Sequence, residues 1–220
     1  MSATDSPPPP SFDASWVGAQ LAGGFPRRLA ALVDARALDA AFDATPLCGA
    51  FSQQVAAWLW LGAEAAAGVL VAAADLPALR AELRARRTTA IVCASSSAAS
   101  ARVFAGDGVE YAAAELSDRS AAEISASVPA FCALVARALS LARAARARGD
   151  SVLVHCNSGM HRSSSVAAAL LMAERGEAGA AGFARAFADI ARARPVAQPI
   201  FWPMLESEAF AGWLLEVAQR

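Results

Sequence analysis

The chain has 220 residues, of which 60 are alanine, and all 19 basic side chains are arginine, set against 20 acidic ones for a formal net charge of −1. That length supports one domain with an extension, and the near-zero charge supplies no long-range field to draw in nucleic acid or an acidic membrane, so phosphate recognition has to be local. With no lysine in the chain, a Walker-type phosphate loop, a kinase lysine and Schiff-base chemistry are excluded.

MSATDSPPPPS, residues 1–11, has neither the basic segment nor the apolar core of a secretory signal. It reads as a lead-in disordered at least over 1–12, part of an N-terminal extension covering 1–50. Ser15 to Ala50 mixes short apolar segments with Gly and Pro and suggests no role. AAAGVLVAAA, residues 65–74, is about half of the roughly 20 residues a membrane span needs, so no transmembrane helix is expected there.

From residue 51 the pattern becomes regular. Short apolar runs at Ala57–Leu61, Thr89–Cys93, Val109–Ala113 and Ser151–His155 read as buried strands. Between the last two, Phe131, Leu134, Val135, Ala138, Leu139 and Ala142 recur at helical spacing, predicting a helix over Val128–Arg148 with Arg137, Arg143 and Arg148 on its solvated face. Gly149 is placed to end it. Phe183, Phe187 and Ile190 predict a further helix halted by Pro195, and Leu205, Leu214 and Val217 a third near the C-terminus. Strands alternating with helices indicate an α/β fold over 51–220, with a central mixed, largely parallel sheet flanked by helices.

Cys48, Cys93, Cys132 and Cys156 lie far apart with no C-x-x-C pair, which fits a reducing compartment and argues against a zinc site or a disulfide scaffold. Both histidines, and the only asparagine, fall within VHCNSGMHRS, residues 154–163. No metal and no cofactor are expected.

That stretch lies between the strand ending at His155 and a helix beginning at Ser163. Backbone N–H groups converge at such a junction and the helix dipole adds partial positive charge, so a tight loop there can surround a tetrahedral anion. Asn157, Ser158, Gly159, Met160 and His161 would supply the loop, Gly159 the turn, and Arg162 a planar guanidinium that donates two parallel hydrogen bonds to phosphate oxygens. A cation and a dipole beside Cys156 favour its nucleophilic thiolate. His155 can orient the loop through its ring nitrogens.

HCNSGMHRS resembles the signature of the cysteine-based protein phosphatases, a Cys and an Arg separated by five residues with His before and Ser or Thr after. Within that superfamily it is most similar to the dual-specificity phosphatases. No other cysteine has an arginine six positions later; those places hold Gln54, Ala99 and Ala138. The resemblance runs from about Ser52 to Val217 and includes WLWLG at 58–62 and RPVAQP at 194–199.

The resemblance implies a metal-free reaction in two steps. Cys156 attacks phosphorus while Asp118, in YAAAELSD, protonates the leaving oxygen; Asp118 then activates water to hydrolyse the phosphocysteine, and Ser163 hydrogen-bonds the departing thiolate. Asp118 lies 38 positions before Cys156, several more than is usual in the family, a difference that a longer 128–148 helix would absorb; Asp107 and Glu115 are the alternative carboxylates. Cys93 is either a reversible disulfide partner of Cys156 or a buried small hydrophobe. His161 is either a determinant of substrate choice or of the loop's pKa values, or an exposed loop residue.

The implied substrate is a phosphorylated protein carrying phosphotyrosine or phosphoserine/phosphothreonine, because the loop lacks the lysines of phosphoinositide-directed relatives. No nucleic acid and no membrane partner is expected, and the setting is cytoplasmic or nuclear. The competing reading is a weak or inactive phosphate-binding scaffold, which the Asp118 spacing keeps open. An RNA 5′-phosphatase lacks a basic path for the polynucleotide. Oligomeric state is not encoded in any feature of the sequence.

Overall fold

The computed structural model describes residues 7–24, 52–69, 71–95 and 102–220. Residues 1–6 of the expected lead-in, most of the Ser15–Ala50 stretch and Cys48 lie outside them. At the centre stands β5 (Ser151–Cys156), all six of whose residues are buried. Around it the sheet runs β1 (Ser52–Ala56), β2 (Leu59–Ala63), β5, β3 (Thr88–Cys93), β4 (Glu110–Ala113). β1 and β2 are antiparallel and every other pairing is parallel. The expected mixed, largely parallel sheet is therefore present.

Side chains alternate across β5. Val152 and Val154 enter one core while Leu153 enters the other, which is why the strand reads as an unbroken apolar run. The larger core is covered by α4 (Val128–Ala147), α5 (Arg162–Arg175), α6 (Gly179–Ala193), α7 (Trp202–Glu206) and α8 (Glu208–Gln219). Phe131 of α4 stacks on Phe201 at 4.4 Å and on Phe210 at 5.8 Å, fastening α4 to the last two helices. The smaller core lies beneath α2 (Leu76–Ala85), with Leu79, Leu83 and Phe104 against Ile91 and Leu153.

α4 follows the predicted periodicity and stops before Gly149, which takes φ +71°. It is apolar and long enough to cross a membrane by length and composition, yet it packs against β3, β4 and β5. The extra residues after Asp118 do not simply lengthen it. They include a separate short helix, α3 (Ala121–Ala126), divided from α4 at Ser127.

The N-terminal extension also meets this body. α1 (Ala14–Ala22) starts at Asp13, whose carboxylate accepts from Ser15 N–H at 2.7 Å and Trp16 N–H at 3.3 Å, satisfying two amides that a helix start leaves open. Residues 7–12, expected to be disordered, lie along the domain. Trp213 Nε1 donates to Pro7 O at 3.3 Å, Ser125 Oγ donates to Phe12 O at 2.6 Å, and Phe12 stacks on Trp16 at 5.3 Å. The prolines hold the segment extended, so its carbonyls are free to accept these donors.

Candidate active site

β5 ends at Cys156 and α5 begins at Arg162, at the carboxyl ends of the parallel strands, where open α/β sheets form their crevices. The loop between them is shaped by what holds its carbonyls. Asn157 O accepts from Glu64 N–H at 3.1 Å and Met160 O from Gln198 N–H at 2.9 Å. Ser158 O accepts from Arg194 Nη2 at 2.7 Å and Gly159 O from Arg194 Nε at 2.8 Å. His161 O accepts from Ser164 and Ser165 Oγ, each at 2.9 Å. In a trans peptide the next residue's N–H points opposite to the carbonyl. Five carbonyls held on the outside therefore turn the amides of residues 158–162 toward the inside, forming an anion cradle.

Gly159 is the residue that makes this loop feasible. It has φ +71°, and a Cβ there would stand 2.6 Å from Gly62 O and 2.7 Å from Arg194 Nη2. No side chain fits.

Ser163 Oγ donates to Cys156 Sγ at 3.2 Å in a buried setting. The Arg162 guanidinium is almost fully buried and is oriented on three sides, with Nη1 donating to Leu116 O at 3.1 Å, Nη2 to Asn157 Oδ1 at 3.2 Å, and Nε lying 3.2 Å from Asp118 Oδ2. This last contact is close enough for an ion pair but lacks hydrogen-bond alignment, since Nε has no hydrogen-bond partner. Asn157 Oδ1 also accepts from Ser95 Oγ at 2.7 Å. Asp118 therefore reaches the loop, and its Oδ2 also lies 3.3 Å from His161 Nδ1. Asp107 is instead paired with Arg80 at 2.7 Å, and Glu115 is exposed.

His155 and Cys93 share a cross-strand position, being paired in the β3–β5 register. Cys93 is buried and its thiol is pushed up to about 11, chiefly by that burial. That burial is what the small-hydrophobe reading expects. His155 is also fully buried, and neither ring nitrogen has a hydrogen-bond partner. Burial lowers its pKa from 6.5 to about 4, against a weak opposing pull from the Cys156 backbone.

The unfolded chain thus takes up a proton on this imidazole near pH 6.5 and the folded chain only near pH 4. Stability conferred by neutral His155 is complete above 6.5 and is lost as pH falls toward 4, about 3 kcal/mol in all. Urea unfolding of the native chain and of His155→Asn between pH 7 and 4 tests this. The native chain should lose more stability over that interval, whereas parallel curves would mean the ring is already protonated or solvated.

Arg194 went unremarked in the sequence as an individual residue, although the RPVAQP turn that carries it stands out. It is 8% exposed, and besides the two loop carbonyls its Nη1 donates to Gln53 Oε1. Burial pulls its pKa down while the Cys156 side chain pulls it up, so a second guanidinium lies within electrostatic reach of the sulfur.

No sequence-family profile and no curated protein matches the chain. Solved structures do. Human DUSP28 is similar with 26% identity and a TM-score of 0.50 over 77% of this chain and 93% of its own. A mouse putative dual specificity phosphatase complexed with zinc tungstate is similar with 27% identity and a TM-score of 0.51 over 80% of this chain and 89% of its own. PTPMT1 in complex with PI(5)P shares the fold at 16% identity, with a TM-score of 0.51 over 77% of this chain and 95% of its own.

Proposed function

Because this chain belongs to the dual-specificity phosphatase family of cysteine-based phosphatases, we propose that it hydrolyses phosphotyrosine and phosphoserine or phosphothreonine on proteins through a cysteinyl-phosphate intermediate. The observation that supports this best is the meeting, at one loop carrying both a nucleophile and a cation, of a carboxylate from 38 positions upstream of Cys156. Asp118 Oδ2 lies 3.2 Å from Arg162 Nε, and Ser163 Oγ lies 3.2 Å from Cys156 Sγ.

In this mechanism phosphate enters the cradle with its equatorial oxygens on the inward amides and on Arg162, displacing Asp118 from the guanidinium. Sγ of Cys156 forms a bond to phosphorus as the ester oxygen leaves with the Asp118 proton. Asp118, now a carboxylate, takes a proton from the water that attacks the phosphocysteine, and Ser163 donates to the sulfur as it departs as thiolate. Preorganised donors aimed at the phosphoryl oxygens supply the main rate term. Phosphoprotein is favoured over a lipid headgroup because the loop carries no lysine. The cytoplasm or nucleus is the proposed setting, since reducing conditions keep Cys156 a thiol.

The test is phosphate release from a small aryl phosphate with chelator and reductant present, followed by phosphotyrosine and phosphothreonine peptides. Turnover on the aryl ester and on both peptides supports the proposal. Tungstate binding without any turnover would instead identify an oxyanion-binding scaffold.

Arg194→Met should weaken tungstate binding by at least about tenfold, because two buried carbonyls lose their donor at about 1–3 kcal/mol each and the loop relaxes. Competition of tungstate against the aryl phosphate measures this. Unchanged affinity would show that the cradle holds its shape without Arg194.

A further inference from the structure

The stretch carrying Asp118 is held differently at its two ends. Upstream, Ala114 N–H donates to Cys93 O at 3.0 Å, Leu116 is buried with its carbonyl on Arg162, and Ser117 N–H donates to Ser127 Oγ at 3.1 Å. Sheet, loop and α4 all fix that end. Downstream, Asp118 is two residues from Ser120, the N-cap of α3, whose Oγ accepts from Glu123 N–H at 3.2 Å. Ser117 Oγ donates to Glu123 Oε2 at 2.5 Å, tying the loop to the same glutamate. The downstream anchor is therefore α3 itself.

α3 has six residues, far too few to persist without packing. The element packed most extensively against it is α1, from the N-terminal extension. Val17 is completely buried in the core that also holds Ile124 and Leu116. Gly18 brings the helix backbone close enough that a Cβ there would lie 3.5 Å from Ala121 Cβ. Ser125 Oγ donates to Phe12 O at 2.6 Å.

We propose that α1 is part of the working apparatus of this domain: it seats α3 and thereby fixes Asp118 at the mouth of the cradle, with Val17 and Phe12 as positioning residues. The proposal rests on Asp118 being the proton donor. Cys156 is held by β5 and the loop by the Arg194 clamp, while Arg162, at the start of α5, loses only its Asp118 contact and keeps Leu116 O, on the firmly held upstream end, and Asn157 Oδ1. Releasing α1 therefore frees the segment from Asp118 to Ser120 and leaves the phosphate site assembled.

The test uses the full-length chain and compares kcat/KM for phenyl phosphate, whose leaving group needs a proton, with dinitrophenyl phosphate, whose leaving group does not. Val17→Asp and the milder Gly18→Leu should each slow phenyl phosphate about tenfold and change dinitrophenyl phosphate less than about twofold. In an Asp118→Ala background neither should slow phenyl phosphate further. An equal loss on both substrates, no loss on phenyl phosphate, or full additivity with Asp118→Ala would each overturn the role of α1. If Asp118→Ala leaves phenyl phosphate unaffected, the donor assignment fails, and the proposal with it. That result is distinguishable from one in which Asp118→Ala is slow and Val17→Asp is not.

Discussion

Cys156→Ser is expected to reduce aryl phosphate turnover by about 10⁴-fold or more while leaving tungstate affinity within a few-fold of the native value. A serine hydroxyl is nearly isosteric with the thiol but is a far weaker nucleophile at neutral pH, and here Ser163 Oγ would simply donate to oxygen in place of Sγ. The cradle depends on outward carbonyls held by Glu64, Gln198, Arg194 and two serines, none of which involves the sulfur. Steady-state kinetics and tungstate titration read the two quantities separately. Turnover surviving in Cys156→Ser would exclude the cysteinyl-phosphate route, and loss of both together would show that the thiol helps to build the loop.

Arg162→Lys should lower turnover about 10²–10³-fold, the usual effect of losing one well-placed oxyanion donor, with a further loss in tungstate affinity. The charge survives, but an ammonium cannot reach Leu116 O, Asn157 Oδ1 and Asp118 at once while presenting two parallel donors to phosphate. Because Arg162 joins the loop to the Asp118 segment, Asp118→Ala should cost much less in the Arg162→Lys background than in the native chain. Measuring both single variants and the double variant on phenyl phosphate gives that coupling. Near-native turnover by Arg162→Lys would mean that the backbone amides alone hold the transition state.

The region from β5 through α5 was legible because its chemistry depends on residues that an alanine- and arginine-rich chain otherwise lacks. Asn157, His155 and His161 stand out against that background, and their spacing from Cys156 to Arg162 carries the geometry directly. Apolar runs located β2 to β5, with β5 buried on both faces, and helical periodicity located α4 and α6, each buried along one side. Three features were hidden. β1, with the polar sequence SQQVA, has no alternating apolar pattern. α1 and α3 are short, and each packs more extensively against the other than against any other element. Arg194 looks like any other arginine until tertiary structure buries it under the loop. Asp118 is marked by its motif, but no pattern in the chain hints that the helix after it rests on a segment from before residue 25.

The strands flanking the sheet carry a consequence for how substrates arrive. β4 has four residues and begins with exposed Glu110, while β1 is short, bears two glutamines and breaks register between Gln54 and Ala56. Short, polar or irregular edges make poor templates for adding another strand. A phosphorylated segment therefore gains little from lying alongside this sheet as an extra strand, the mode by which many peptide-binding domains read sequence. On the proposed phosphatase reading, recognition then rests on the phosphate itself in the cradle and not on a run of flanking backbone.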